Sequence, residues 1–321
     1  MRFYITSLAA LLCAWSCALA QAQGYPSRPL RIIVPSSPGG GSDYVGRIMA
    51  LRFGETLGSQ VVVENRPGAG SLVGSDYVSK AAPDGYTLLV TPAALAVNPF
   101  MFASVPFDAR RDLAPVSQLV EAGNVLTAHP SVPVKNMREL IALAKARPGL
   151  LSIASPGGGG TPHMAAELLR LMTRADFLIV PYKGSGPGAI ALLSGEVSLQ
   201  FSTPPSTMQF IRSGKMRALG VSGLKRIAAM PDVPTIAESA LPGYEATQWF
   251  GLLVPAGTPR AVIDRLHQEA VRALRLQDTR ERFAVEGLEP VGSSPEEFGA
   301  YIASEIDKWG RVIKAAGIKP Q

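Results

Sequence analysis

The fold is decided by residues 31–45, which read RIIVPSSPGGGSDYV. The apolar residues of Leu30–Val34 predict a buried strand. Residues 35–41, the first glycine loop, interrupt the run, and Ser42 or Asp43 is predicted to cap the helix that follows. Free N–H groups at a helix start attract anions, and glycines let the main chain approach a ligand closely. The stretch therefore predicts either an anion-binding site or a tight, well-capped strand-to-helix turn.

The same pattern returns near the middle of the chain. Residues 151–155 predict another short strand, and residues 157–160, the second glycine loop, are four consecutive glycines. Thr161 followed by Pro162 is a favoured helix start, with Thr161 as the predicted N-cap. Two such units, far apart in the sequence, predict two lobes that each present a helix N-terminus to one ligand.

Strands and helices alternate along most of the chain, which is typical of α/β proteins. We therefore expect two lobes, each with a central, mainly parallel sheet flanked by helices. On such sheets ligands bind at the carboxyl ends of strands, so Thr91 and Ala93 are predicted to join the first glycine loop at one rim. The predicted boundaries are residues 1–22 for a signal peptide, 23–124 and 248–321 for lobe 1, and 125–247 for lobe 2.

The N-terminus has the pattern of an export signal. Arg2 precedes an apolar core at residues 8–19, and small-residue cleavage motifs end at residues 20 and 22. This pattern predicts a soluble periplasmic protein after signal cleavage. Both cysteines, Cys13 and Cys17, lie in the segment that is removed, so the mature chain is expected to contain no disulfide, thiol nucleophile or cysteine-bound metal.

Composition and motifs narrow the function classes further. The formal net charge is +6, but lysines and arginines are scattered, whereas a nucleic-acid binder would cluster them. The sequence has no P-loop, no nucleophile elbow and no histidine pair with metal-ligand spacing. The glycines of residues 68–74 miss a dinucleotide fingerprint by one position. We therefore expect no nucleic-acid partner, no metal, no cofactor and no enzymatic activity.

Two polar side chains at the predicted rim can be interpreted in two ways. His163, in the first turn of the mid-chain helix, could donate to a bound carboxylate or hold its own loop by a local hydrogen bond. Asp43 could cap its helix or accept from a ligand hydroxyl or ammonium group. The structural role is favoured for both, and the ligand-binding role stays open.

Six segments, taken in order, are specific to one family. They are Tyr25-Pro26, PGGGSD at residues 38–43, VENRPGAG at residues 63–70, APDGYTL at residues 82–88, VPYKG at residues 180–184 and DVPT at residues 232–235. With them the chain resembles the solute receptors of tripartite tricarboxylate transporters, the Bug family of extracytoplasmic binding proteins, over nearly the whole mature chain. The resemblance implies a two-lobed periplasmic binding protein fold of type II topology.

The resemblance also implies a carboxylated ligand between the two glycine loops, often held through ordered waters. The residues expected at this ligand are Ser37, Gly40, Gly41, Ser42, Asp43, Thr91 and Ala93 from lobe 1, and Ser155, Gly158, Thr161, His163 and Ser202 from lobe 2. Family members often have an acid just after the strand that here ends at residue 201, where this chain has Ser202 and Thr203. An amino-acid ligand is therefore disfavoured, and a di- or tricarboxylate or an aromatic acid is expected.

The expected function is that of a monomeric receptor that captures a small organic acid for a membrane permease. Two alternatives stay open. The receptor could serve a signalling partner as a ligand sensor, or the chain could be an exported hydrolase or transferase with an unrecognised site.

Overall fold

A computed structural model describes the chain over residues 24–156, 159–182 and 185–320. Two β-sheets flanked by helices make up these residues. None of the helices found there combines the length and the apolar character needed to cross a membrane. The predicted signal peptide, residues 1–22, lies outside the described residues, and so does Gly158.

Strands and helices alternate as the sequence predicts. In chain order the strands are β1 (Leu30–Val34), β2 (Val61–Asn65), β3 (Thr87–Pro92), β4 (Leu113–Gly123), β5 (Val125–Ala128), β6 (Ser152–Pro156), β7 (Leu178–Tyr182), β8 (Leu199–Ser202), β9 (Arg217–Val221), β10 (Thr247–Pro255) and β11 (Glu289–Pro290). The helices are α1 (Gly41–Leu57), α2 (Leu72–Ser79), α3 (Ala94–Met101), α4 (Met137–Ala146), α5 (Thr161–Thr173), α6 (Ser185–Leu193), α7 (Met208–Arg212), α8 (Ile236–Ser239), α9 (Arg260–Arg275), α10 (Gln277–Val285) and α11 (Pro295–Ala316).

The first sheet has six strands in the order β11-β4-β10-β3-β1-β2, and the second has five in the order β7-β6-β8-β5-β9. In the first sheet β1 is parallel to β2 and β3, while β10 is antiparallel to β3 and β4. In the second sheet β6 is parallel to β7 and β8, while β5 is antiparallel to β8 and β9. Both sheets are therefore mixed, with most of their strands running in one direction. In the first sheet β1 to β4 share one direction, and β10 and β11 run against them. In the second sheet β6 to β9 share one direction, and β5 runs against them.

The chain passes between the sheets at two adjacent points. At the first, the Asn124 N–H donates to Ser222 Oγ (2.8 Å), and Asn124 Nδ2 donates to the Ala246 carbonyl (3.0 Å). Ser222 Oγ also donates to the Ala246 carbonyl (2.6 Å), just before β10. A Cβ on Gly123 would lie 2.9 Å from the Gly223 nitrogen, so the two segments touch. The two segments that cross between the sheets are therefore hydrogen-bonded to each other, as in proteins that close by a hinge.

A continuous apolar core joins the two sheets. Trp249 on β10 is fully buried and packs edge-to-face on Phe298 of α11, with ring centroids 5.4 Å apart. Trp309, further along α11, lies in the same cluster as Met164 and Leu169 of α5. Burial of large apolar side chains is the main favourable contribution to folding. Because this core contains residues of both sheets, it sets the position of α5 relative to the first sheet.

Candidate functional site

The first glycine loop connects β1 to α1. Gly40 is the extended N-cap residue, and the helix begins at Gly41. A Cβ on Gly41 would lie 2.6 Å from Phe250 Cζ, so only glycine lets the helix begin this close to β10. The prediction that Ser42 or Asp43 is the N-cap is therefore wrong, since both lie inside the first turn. The close contact with β10, which local sequence does not reveal, decides where the helix starts.

The start of α1 has main-chain donors without a partner in the helix. The first helical bond runs from the Tyr44 N–H to the Gly40 carbonyl (2.9 Å). The N–H groups of Gly41, Ser42 and Asp43 precede this bond, as at every helix N-terminus. Together with the helix dipole they make this end electropositive. The predicted contacts Gly40, Gly41 and Ser42 therefore lie where an anion is favoured.

Asp43 holds the first glycine loop in place. Its carboxylate is buried, and Oδ2 accepts from the Gly39 N–H and from Arg47 Nε, both at 2.9 Å. Its Oδ1 accepts from Asn65 Nδ2 (2.9 Å), which also donates to the Ser36 carbonyl (3.0 Å). Burial alone would raise the pKa of Asp43, but the hydrogen bonds it accepts, that from Arg47 foremost, lower it below its usual value. Asp43 is therefore ionised at neutral pH with donors on both oxygens, and its contact with a ligand stays a prediction.

The other predicted residues of this rim are mostly buried. Ser42, Thr91 and Ala93 are buried, while Ser37 is exposed. Thr91 Oγ1 has no hydrogen-bond partner in the described part of the chain, and neither has Ser36 Oγ. A buried hydroxyl without a partner costs about 1–3 kcal/mol, a cost that a bound ligand or water removes. These two hydroxyls are therefore candidate ligand contacts.

The second glycine loop leads into α5. Gly160 is the N-cap and Thr161 the first helical residue, so the prediction of Thr161 as N-cap is wrong. The cap falls one residue earlier because Gly160 takes the extended conformation, and Pro162 is accommodated in the first turn, where no helical N–H bond is lost. Thr161 Oγ1 is buried and makes no hydrogen bond within the described residues. It is a further candidate contact, this time from the second sheet.

His163 joins the start of α5 to the end of β6. Its Nδ1 lies 3.2 Å from the Oγ of Ser155, a buried residue near the carboxyl end of β6. Burial lowers the pKa of His163, Glu167 raises it and Arg170 lowers it, with a net value below the usual one. The Glu167 and Arg170 side chains pair with each other at 2.7 Å. The imidazole is therefore neutral at pH 7, and the hydrogen bond to Ser155 holds the helix start on its strand.

The second glycine loop contacts the first sheet at α3. Gly159 has a φ of 74°, and a Cβ there would lie 2.7 Å from Met101 Cγ and 3.3 Å from Val97 Cγ1. Both side chains belong to α3, which begins directly after Thr91 and Ala93. The second glycine loop therefore lies against the helix that follows the predicted rim residues Thr91 and Ala93, although the two segments are distant in the sequence.

Ser202, unlike Thr91 and Thr161, has a hydrogen-bond partner for its buried hydroxyl. It ends β8, is fully buried and donates to Thr207 Oγ1 (3.2 Å). Its hydroxyl hydrogen is thus used within the second sheet's own loop, and a ligand contact by Ser202 stays a prediction. No group of three or more His, Cys, Asp or Glu side chains able to hold a metal is found among the residues described.

Sequence reasoning missed two polar side chains at this rim, Trp249 and Ser36. Trp249 is fully buried, and its Nε1 has no partner among the atoms of the described chain. The Trp249 carbonyl accepts from the Ala93 N–H (3.0 Å), which places this residue beside the start of α3. The position of Ser36 in the first glycine loop, beside the predicted contact Ser37, is a local signal that could have identified it. Trp249 carries no such signal, because it lies in an apolar run and reaches the rim only through the pairing of β10 with β3.

Two sheets joined by adjacent crossings, with a glycine-rich helix start on each, define the class of two-lobed periplasmic binding proteins. The sequence profile of the tripartite tricarboxylate transporter family receptor matches residues 45–318, and the chain belongs to this receptor family.

Individual relatives agree with this assignment. Protein BugT of Bordetella pertussis is 38% identical over 304 residues, which cover 94% of this chain and 93% of that protein. Rpa4515 of R. palustris, solved with adipate, has a TM-score of 0.87 and 32% identity, covering 92% of this chain and 100% of that chain. The periplasmic binding protein BugD has a TM-score of 0.84 and 33% identity, covering 92% of this chain and 100% of that chain. The predicted membership of the Bug family and the predicted two-lobed fold are confirmed.

Proposed function

We propose that this receptor binds a small carboxylate between its two lobes in the periplasm and delivers it to a membrane permease of the tripartite tricarboxylate type. The observation that carries the proposal is a glycine-rich helix start on each sheet, the second of them preceded by a loop that packs on α3, together with buried hydroxyls that lack partners among the described residues. The family assignment and the adipate in the similar structure of Rpa4515 support a carboxylate as the ligand.

The donors at this site suit a carboxylate. Main-chain N–H groups and hydroxyls form charge-assisted hydrogen bonds with an anion. They do so without a buried lysine or arginine, which avoids the cost of removing a second charge from water. Both oxygens of Asp43 already accept hydrogen bonds, from Gly39, Arg47 and Asn65, so Asp43 offers little to a ligand ammonium group. A di- or tricarboxylate or an aromatic acid therefore fits better than an amino acid.

We propose the lobe boundaries 23–124 with 248–321, and 125–247. The crossings at Asn124 and Ala246 support them, since β1–β4, β10 and β11 build one sheet and β5–β9 the other. Residues 1–22 are removed on export in this proposal. The receptor acts as a monomer, because one chain supplies both sides of the cleft.

Thermal unfolding with a ligand panel tests the proposal. The mature chain is unfolded and refolded to remove carried-over ligand, then heated with organic acids, their esters or amides, and amino acids. A ligand that binds only the folded chain stabilises it by RT ln(1 + [L]/Kd), about 2.7 kcal/mol at a hundredfold excess over Kd. A rise in Tm with one class of carboxylate, absent for its ester, is expected. A panel without any carboxylate effect, alongside a shift with a nucleotide or sugar, would contradict the proposal.

Thr161→Val tests the site within the same assay. The change removes a buried hydroxyl without a partner in the described chain, so the unfolding free energy should stay unchanged or rise slightly. Affinity for the carboxylate should fall about tenfold or more, as for loss of a hydrogen bond to a charged group.

The matched control is Thr173→Val at the other end of α5, where Oγ1 donates to the Leu169 carbonyl at 2.6 Å. This control should lower stability by about 1 kcal/mol and leave affinity unchanged. Unchanged affinity in Thr161→Val would remove Thr161 from the site.

A further inference from the structure

His163 lies between the two elements that frame the second glycine loop. The ring belongs to the first turn of α5, and its Nδ1 is 3.2 Å from Ser155 Oγ near the carboxyl end of β6. A neutral imidazole has one N–H, whereas an imidazolium donates from both nitrogens. A proton added to this ring would therefore create one more donor, and one unit of positive charge, at the helix start that faces α3.

In the chain without a ligand, the surroundings of His163 disfavour protonation of its ring. The ring is largely buried, and it lies at the electropositive end of α5, whose first turn contains no acidic residue. Two charged side chains of α5, Glu167 and Arg170, shift the pKa of the ring in opposite directions. Ser155 on β6 is neutral, and the side chains of α3 that face the loop, Val97 and Met101, are apolar. Glu167 favours the proton, but it is paired with Arg170 at 2.7 Å, which offsets its effect.

An anion at the start of α5 would reverse this balance. It would offset the dipole of the helix and attract the imidazolium directly. We infer that binding of a carboxylate is coupled to uptake of a proton by His163, so that the receptor holds its ligand more tightly in mildly acidic than in alkaline solution. The inference rests on the proposed function, because it requires a carboxylate at this helix start.

The sign of the coupling follows from linkage. Burial places the pKa of His163 in the free chain below its usual value of 6.5, and a bound anion raises it. Protons are therefore taken up on binding between the free and the bound pKa values. Affinity rises as pH falls through this window, tenfold for each unit by which the ligand raises the pKa. The free chain, by contrast, loses stability as pH falls below 6.5, because the unfolded state then binds more protons.

Histidine NMR of the mature chain tests the inference directly. The ring signals of the three histidines, His129, His163 and His267, are assigned with single substitutions and titrated from about pH 5 to about pH 8. The titration is done without ligand and with saturating adipate, malate or benzoate. The expected result is a rise of about one unit or more in the pKa of His163 alone, on binding of at least one of these acids.

Calorimetry counts the protons. Binding is measured near pH 6 in two buffers of different ionisation enthalpy, for the parent chain and for His163→Asn, whose amide can keep the bond to Ser155 but cannot be protonated. The parent should take up more protons than His163→Asn. The matched control is His129→Asn. His129 lies outside the site, and its Nδ1 also contacts a serine hydroxyl, Ser131 Oγ, at 2.7 Å. This control should leave the number of protons taken up unchanged. Titration of the ligand's own carboxyl groups contributes equally in all three proteins. The difference in proton uptake between the parent and His163→Asn therefore reports protonation of the imidazole.

The outcomes separate the two proposals. Binding of a carboxylate without a change in the pKa of His163 would overturn the proton coupling and leave the receptor function standing. Failure of all three acids to change the spectrum or the melting temperature would count against the carboxylate receptor itself and overturn the coupling with it. A rise in the pKa of His163 on binding, together with proton uptake that is lost only in His163→Asn, supports both the receptor function and the proton coupling.

Discussion

The two glycine loops lead into similar helix starts but are held in different ways. In the first loop a buried, ionised Asp43 accepts hydrogen bonds from Gly39 of the loop, Arg47 of α1 and Asn65 of β2. In the second loop a neutral His163 contacts Ser155, and Gly159 packs on α3 of the other sheet. The first loop is therefore fixed within its own sheet, whereas the second also depends on the contact between the sheets.

The difference has an electrostatic consequence for a bound carboxylate. Helix α1 has Asp43 in its first turn, while the first turn of α5 contains no acidic residue. The charge of Asp43 already interacts with the positive end of α1, and like charges repel. A ligand carboxylate should therefore gain more at α5. We expect the first loop to provide shape and main-chain donors, and the second loop to provide most of the charge attraction.

The largest expected effect comes from removing the carboxylate that fixes the first loop. Asp43→Ala leaves a main-chain N–H and the Asn65 amide without their acceptor, so it should lower the unfolding free energy by about 3 kcal/mol. Urea unfolding measures this as a lower midpoint at an unchanged slope. The control is Asp264→Ala, which breaks an exposed pair with Arg260 at the same i,i+4 spacing and should change little. Equal losses in the two variants would show that Asp43 does not hold the loop.

A glycine from each loop tests the dependence on the other sheet. Gly39 and Gly159 have similar positive φ values of 81° and 74°, so alanine should cost each about 1 kcal/mol through backbone strain. A Cβ on Gly39 meets nothing within 4 Å, whereas one on Gly159 lies 2.7 Å from Met101 Cγ. Gly159→Ala should therefore cost about 2 kcal/mol and also weaken ligand binding. Urea unfolding and ligand titration of both variants check this. Identical behaviour would mean that the second loop is as independent of the other sheet as the first.

The smallest effect is a difference in acid sensitivity. The pKa of Asp43 is lower in the folded chain than its usual value of 3.8. Its stabilising contribution is therefore complete above that value and is lost as pH falls through the lower, folded pKa. The unfolding free energy of the parent should fall more steeply below about pH 4 than that of Asp43→Asn. Urea unfolding from about pH 5 to about pH 2.5 measures the two slopes. Parallel slopes would show that the carboxylate titrates as it does in the unfolded chain.

Much of this arrangement could be predicted from local sequence. Both strand–glycine–helix units form as predicted, because apolar runs and the special conformations of Gly and Pro act over a few residues. The helix caps were predicted at Ser42 or Asp43 and at Thr161, but Gly40 and Gly160 take these positions. The predicted, mainly parallel sheets also contain the antiparallel strands β5, β10 and β11, because the direction of a strand is not encoded in its own residue pattern.

The sequence by itself determined the α/β alternation, the two glycine-rich helix starts and, through its motifs, the family. The tertiary structure alone decided what each candidate side chain does. Asp43 Oδ1 has a hydrogen-bond donor because β2 brings Asn65 beside it. Trp249 reaches the rim because β10 pairs with β3. The second loop lies against α3 because Gly159 packs on Met101. Each of these contacts joins residues that are distant in the chain, so pairing and packing, rather than local conformational preference, position the site.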